Sequence, residues 1–177
     1  VGAVPVVEDA VAQLANNEGA NAIAWAGLAP SCLLVGTAFR WLRMYDLRGG
    51  DGSPVLSCHA HAKTVCGVAC DPFNPYRVVT HSDEAGGVVK GWDVRAVRDN
   101  APLFVISTTG KGGVLQVGWC PTRSGLLSTV VDGSSSVHLW EVDHAMARFA
   151  EGLPTGTLPA SGSSAGVAMP SAGTPSH

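Results

Sequence analysis

The alternation of apolar with small or polar residues is clearest over Leu115–Val142, where it predicts three short strands separated by two turns. Leu115, Val117 and Trp119 recur at every second position, the period of a strand with one buried face. Pro121 ends that strand, and Cys120-Pro121-Thr122-Arg123-Ser124-Gly125 reads as a turn, since proline fixes φ and glycine tolerates a positive one. Leu126–Val131 follows as a β-branched, apolar run. Asp132-Gly133 then turns the chain into a third strand carrying Val137, Leu139, Trp140 and Val142.

The same triplet occurs twice more. In the first copy Ile23 and Trp25 lie on the first strand, Ala29-Pro30 forms the turn, Cys32–Gly36 the second strand and Leu42–Leu47 the third. The middle copy places Val68 and Cys70 on its first strand, turns over Asp71-Pro72 to Pro75, and continues with Arg77–Thr80 and Val88–Val94. The third strands end on Tyr45-Asp46, Trp92-Asp93 and Trp140-Glu141, so Asp46, Asp93 and Glu141 are spaced by 47 and 48 residues. Pro54–His59 and Pro102–Ser107 lie between copies as candidate fourth strands. A four-stranded unit at this period is the signature of a β-propeller blade.

The predicted class is all-β: about three four-stranded blades over 21–143, divided near 21–48, 54–95 and 102–143. Residues 1–20 are a lead-in, either a short amphipathic helix through Val7, Ala10, Val11 and Leu14 or the remnant of a strand over Val4–Val7. His144–Ala150 is expected to form one or two helical turns. From Gly152 to His177 charged side chains vanish and Pro, Gly, Ser, Thr and Ala dominate, the composition of a disordered tail. With Val at position 1, the chain is expected to be a piece of a longer protein.

Charge adds exclusions. A formal net charge of −3 with 14% charged residues gives no basic footprint for nucleic acid. No apolar run reaches the roughly 18 residues of a membrane span, and no secretory leader pattern opens the chain. Five cysteines without framework spacing suit a reducing compartment, so a cytoplasmic protein is expected.

Three constellations could carry chemistry. Cys58, His59, His61, Cys66 and Cys70 are zinc-ligand types, but an extended Cys66–Cys70 segment separates the two sulfurs by roughly 13 Å, beyond the roughly 4 Å that one tetrahedral ion allows. Lys111-Gly112-Gly113-Val114 resembles part of a phosphate loop but lacks the Gly-Lys-Ser/Thr entry into a helix. Asp83, Glu84, Asp93, Glu141 and Asp143 sit at turns and strand ends rather than as a catalytic pair. No metal, cofactor, catalytic residue or small-molecule substrate is expected.

Gly91-Trp92-Asp93-Val94-Arg95 resembles the dipeptide ending of a WD repeat, and His61 lies 31 residues before Trp92. In that family a histidine, a Ser or Thr, a turn Asp and the Trp form a buried hydrogen-bond chain. The resemblance implies His61, Thr80, Asp83 and Trp92 in the middle repeat and Thr129, Asp132 and Trp140 in the third. The first repeat has Tyr45 at the Trp position and no turn Asp. Asp46-Leu47-Arg48 and Asp93-Val94-Arg95 resemble the endings of WD proteins that recruit substrates to cullin ubiquitin ligases. Arg48, Arg95, Trp41, Phe73 and Tyr76 are therefore candidate partner contacts.

A narrower resemblance rests on Cys32–Gly36 with Tyr45–Arg48, on Gly67–Phe73 with Arg77-Val78, and above all on Trp119-Cys120-Pro121-Thr122-Arg123-Ser124-Gly125-Leu126-Leu127. These segments are similar to successive blades of the Mio (missing oocyte, meiosis regulator) family, WD-repeat subunits of the GATOR/SEA complex. The resemblance implies a non-catalytic scaffold for other protein subunits, upstream of the TOR kinase in amino-acid signalling, in the cytoplasm and at the lysosomal or vacuolar surface. The alternative is a substrate receptor of a cullin ligase.

Overall fold

Each apolar triplet forms an antiparallel sheet in chain order. The computed structural model describes residues 18–49, 51–97, 100–108 and 112–151. The first sheet has the order β1 (Ala20–Trp25), β2 (Cys32–Thr37), β3 (Trp41–Asp46) and β4 (Leu56–His59). The second has β5 (Val65–Cys70), β6 (Arg77–Ser82), β7 (Val88–Asp93) and β8 (Phe104–Ser107). The third has, among the described residues, β9 (Val114–Trp119), β10 (Leu126–Val131) and β11 (Val137–Glu141).

Among the described residues the third sheet thus has three strands where the other two have four. After Glu141 the chain enters a helix, α1 (Val142–Ala150), instead of a fourth strand. His144-Ala-Met-Ala-Arg carries good helix formers, with Asp143 in the first turn and Arg148 in the last, each suited to the helix dipole. β4 pairs with β3 and β8 with β7, so the sequence divisions at 54 and 102 fall one strand ahead of the sheet boundaries.

Period-2 alternation misplaces one residue per inner strand. Ala20 and Ala22 pair with Thr37 and Gly36, Val65 and Gly67 with Ser82 and His81, and Val114 and Gln116 with Val131 and Val130. In each case one extra residue is inserted, making a β-bulge at Asn21, Cys66 and Leu115. Leu115 therefore leaves the buried face of Val117 and Trp119 and is 62% exposed.

The second sheet is buried on both faces. Toward the first sheet it presents Val78 and Trp92, packed with Leu34, Leu42 and Cys58. Toward the third it presents Val79, Val89 and Ile106, packed with Val114, Leu127 and Val142. Each fully buried valine or leucine stabilises by about 1.5–3 kcal/mol. All six residues of β6 are accordingly buried, although four of them, Arg77, Thr80, His81 and Ser82, are polar. At Gly91 the absent Cβ leaves room for the Phe104 ring of the neighbouring strand.

The outer faces are different. Ile23 and Trp25 on β1, and Val137 and Leu139 on β11, are apolar and largely exposed. They belong to the surfaces on which the first and third sheets have no described neighbour. No described helix is long and apolar enough to cross a membrane. The lead-in up to residue 17, Lys111 and the tail from 152 lie outside the described residues.

Candidate functional site

The polar groups of the second sheet converge on Thr80. Its neighbours Val79 and Val78 point to opposite sheet faces, which places the Thr80 hydroxyl on the Trp92 side. Trp92 Nε1 donates to Thr80 Oγ1 at 2.8 Å, and His61 Nε2 lies 2.8 Å from the same oxygen. A hydroxyl that accepts from the indole keeps one proton and a second lone pair, so Thr80 can meet Nε2 in either imidazole tautomer. All three residues are buried.

Nδ1 faces an acid, but not Asp83. Glu84 Oε1 lies 3.6 Å away and also accepts from the Ala62 backbone N–H at 2.8 Å. Asp83 is exposed, a correction to the sequence assignment. The reason is the long Asp83–Gly87 turn: β6 runs on to Ser82, and the next residue but one, not the next, turns back over His61.

Burial pushes the His61 imidazole down to about 4, with the nearby Lys90 ammonium adding to the effect and Glu84 opposing it. An unfolded histidine titrates near 6.5, so the unfolded chain takes up the proton first as pH falls. Stability should therefore drop by roughly 3 kcal/mol between pH 6.5 and 4. Urea midpoints across that range check it, with His61→Asn expected to flatten the slope; an unchanged slope in His61→Asn would contradict the assignment.

In the third sheet Trp140 Nε1 donates to Thr129 Oγ1 at 3.0 Å, but Asp132 is exposed at its turn and is not brought to either residue. Its main chain instead accepts the close approach of Gly112, and its N–H donates to Gly113 O at 2.9 Å. In the first sheet Tyr45 is buried at the Trp position.

Sequence reasoning missed Arg77. Its Nε and Nη2 each lie 2.5 Å from Asp71 Oδ2, and Nη1 donates to Asp143 at the start of α1. The guanidinium also stands 5.0 Å from the Trp119 ring centroid, while Ser124 Oγ donates to Asp143 Oδ2 at 3.1 Å. One buried cation therefore ties the β5–β6 turn, β9 and α1 together. The available signal was an arginine opening an apolar strand six residues after the Asp71-Pro72 turn.

The candidate contact residues divide. Arg48 and Arg95 are exposed, yet each forks onto its own Asp46 or Asp93, which holds those carboxyls below the usual range. Arg95 also stacks 4.2 Å from the Tyr76 ring centroid. Phe73 and Tyr76 are partly exposed, and Trp41 is half-buried, edge-on to His59. Cys66 is exposed, whereas the Cys70 thiol reaches Trp25 O at 3.0 Å; no three metal-ligating side chains meet among the described residues.

The family model of the MIOS WD40 repeat matches residues 3–158. The chain is 40% identical over 132 residues to the GATOR2 complex protein MIOS of Dictyostelium discoideum, covering 75% of this chain and 11% of that protein. It is 28% identical over 139 residues to the Danio rerio protein of the same name, and 30% identical over 139 residues to MIOS-A of Xenopus laevis. These matches cover 78% of this chain in both cases, and 15% and 14% of the relatives, so the chain spans only a small part of their length. A chain of the mitotic checkpoint complex crystal structure is similar in fold, with a TM-score of 0.54 and 24% identity over 66% of this chain and 33% of that one. On the family match across most of its length, and on three consecutive sheets built to one pattern, the chain belongs to the MIOS WD40-repeat family.

Proposed function

We propose that the chain is part of a non-catalytic WD-repeat scaffold, a Mio-like subunit of a GATOR2-type complex that regulates TOR signalling in response to amino acids. The observation that carries this reading is the MIOS family match over residues 3–158, together with relatives named as GATOR2 complex proteins. The polar chemistry agrees with a scaffold: His61, Thr80, Trp92, Arg77, Asp71 and Asp143 are engaged in ties within and between sheets. Its ligands are other protein subunits rather than nucleic acid or a small-molecule substrate, and it acts in the cytoplasm, peripherally at the lysosomal or vacuolar membrane.

A second reading, a substrate receptor of a cullin ligase, is favoured by one observation: the Arg48 and Arg95 side chains are 74% and 62% exposed at the strand ends. Affinity purification of the tagged protein from its own cells, followed by mass spectrometry, separates the two. Recovery of GATOR2-type subunits is the expected outcome. Recovery of ligase adaptors without them would sink the proposal.

A further inference from the structure

The hairpin from β2 to β3 turns through Ala38, Phe39 and Arg40, and Arg40 has a φ of 79°. That region crowds a Cβ, and the corresponding hairpins of the other two sheets fill it with glycine: Gly86 and Gly87 at 89° and 60°, and Gly133 at 70°. Glycine would be the low-energy choice at position 40 as well. The strained backbone is held from the neighbouring loop, since Arg40 O accepts from Ala60 N at 2.8 Å and from His61 N at 3.3 Å.

Strain of this kind persists where surrounding contacts over-determine it, and it gathers at binding sites. Here it sets Arg40 next to Phe39, which is 64% exposed, on the wall of one cavity. Phe39, Arg40, Trp41, His59 and Glu18 line an open cavity of about 590 Å³. The Trp41 and His59 rings meet edge to face at 5.6 Å and form an aromatic wall. Glu18 is matched by Arg43 at 2.9 Å, so Arg40 leaves the lining with an excess of positive charge.

We propose that this cavity docks an acidic segment of a partner protein, one that presents an aromatic or aliphatic side chain flanked by carboxylates. The apolar side chain lies against Phe39 and Trp41, and a carboxylate takes the Arg40 fork in paired, charge-assisted hydrogen bonds. The site deepens the scaffold reading, on which it rests in taking the partner to be a protein. It also accounts for a residue that local backbone energetics alone would have made glycine.

Fluorescence anisotropy on the full chain tests this with two labelled peptides, Glu-Glu-Leu-Phe-Glu-Glu and Lys-Lys-Leu-Phe-Lys-Lys. The acidic peptide should bind at least about tenfold more tightly than the basic one, the loss expected from one charge-assisted contact. Arg40→Gly should weaken it by about tenfold while raising Tm by roughly 2–4 °C through release of strain. Phe39→Ser should weaken binding without that gain. The proposal is overturned if the acidic peptide fails to bind, if Arg40→Gly binds it as well as the original chain, or if Arg40→Gly lowers Tm. A dimer that Arg40→Gly dissociates, with no peptide bound, would assign the cavity to a second copy and overturn it too. Unchanged recovery of GATOR2-type subunits by Arg40→Gly, alongside a failed peptide test, would remove this site and leave the scaffold reading standing.

Discussion

Replacing Trp92 by alanine should cost about 3–5 kcal/mol of stability, the range for deleting a large buried aromatic. The indole is 1% exposed and packs into the cluster shared by Leu34, Leu42, Cys58 and Val78, so its removal opens a cavity between two sheets rather than at a surface. It also strips Thr80 of its indole donor, while the His61–Thr80 contact remains. Trp92→Phe should recover the packing share and lose the hydrogen bond, a difference of about 1 kcal/mol or somewhat more. Trp140→Ala should cost less than Trp92→Ala, because Trp140 is only half-buried where it packs against the cluster between the second and third sheets. Urea unfolding reads all three. A Trp92→Ala loss within about 0.5 kcal/mol, typical of surface positions, would contradict its place in the core.

Arg77→Ala should cost a similar amount, about 3–5 kcal/mol, for a different reason. The Asp71 side chain is fully buried, and without the guanidinium its carboxylate is left desolvated with no counter-charge, held by the Phe73 N–H at 2.8 Å. Removing the acid as well, in Asp71→Ala/Arg77→Ala, should restore part of the loss, because an apolar hole costs less than an isolated buried charge. Asp143 is different. Its side chain is 46% exposed, so water screens the pair and Asp143→Asn should cost no more than about 1 kcal/mol. Equal losses for Asp143→Asn and Arg77→Ala in the same denaturation series would show that the clamp works through α1 and not through the β5–β6 turn.

The sheets were legible because period and turn chemistry repeat. Apolar alternation, the Pro and Gly turns and the aromatic-acid endings at steps of 47 and 48 residues located all three sheets, and the family match agrees with that pattern. What escaped was any feature set by contacts distant in sequence. A bulge is one residue inserted against a partner strand, and single-strand alternation cannot register it, which is why Leu115 was grouped with Val117 and Trp119. Glu84 rather than Asp83 faces His61 because the lengthened turn decides which acid folds back. Arg77 reads locally as a polar strand start, yet its partners lie 6 and 66 residues away. Among the described residues the third sheet has three strands, and α1 follows β11 directly. Arg40 gave no signal at all, since positive φ at a non-glycine residue is visible only in the backbone.

One consequence of this layout separates a run of stacked blades from three independent hairpin sheets. The second sheet is covered on both faces, whereas β1 and β11 carry exposed apolar residues on uncovered ones. Opening free energy follows buried contacts, so amides should exchange most slowly in β6 and β7, between Arg77 and Asp93, and much faster in β1 and β11. Residue-resolved hydrogen exchange on the isolated chain measures this directly. The expected result is a maximum of protection centred on Val78, Val79, Val89 and Trp92 that falls toward both outer sheets. Protection in β1 and β11 equal to that of β6 would contradict the stacked arrangement with the second sheet at its core.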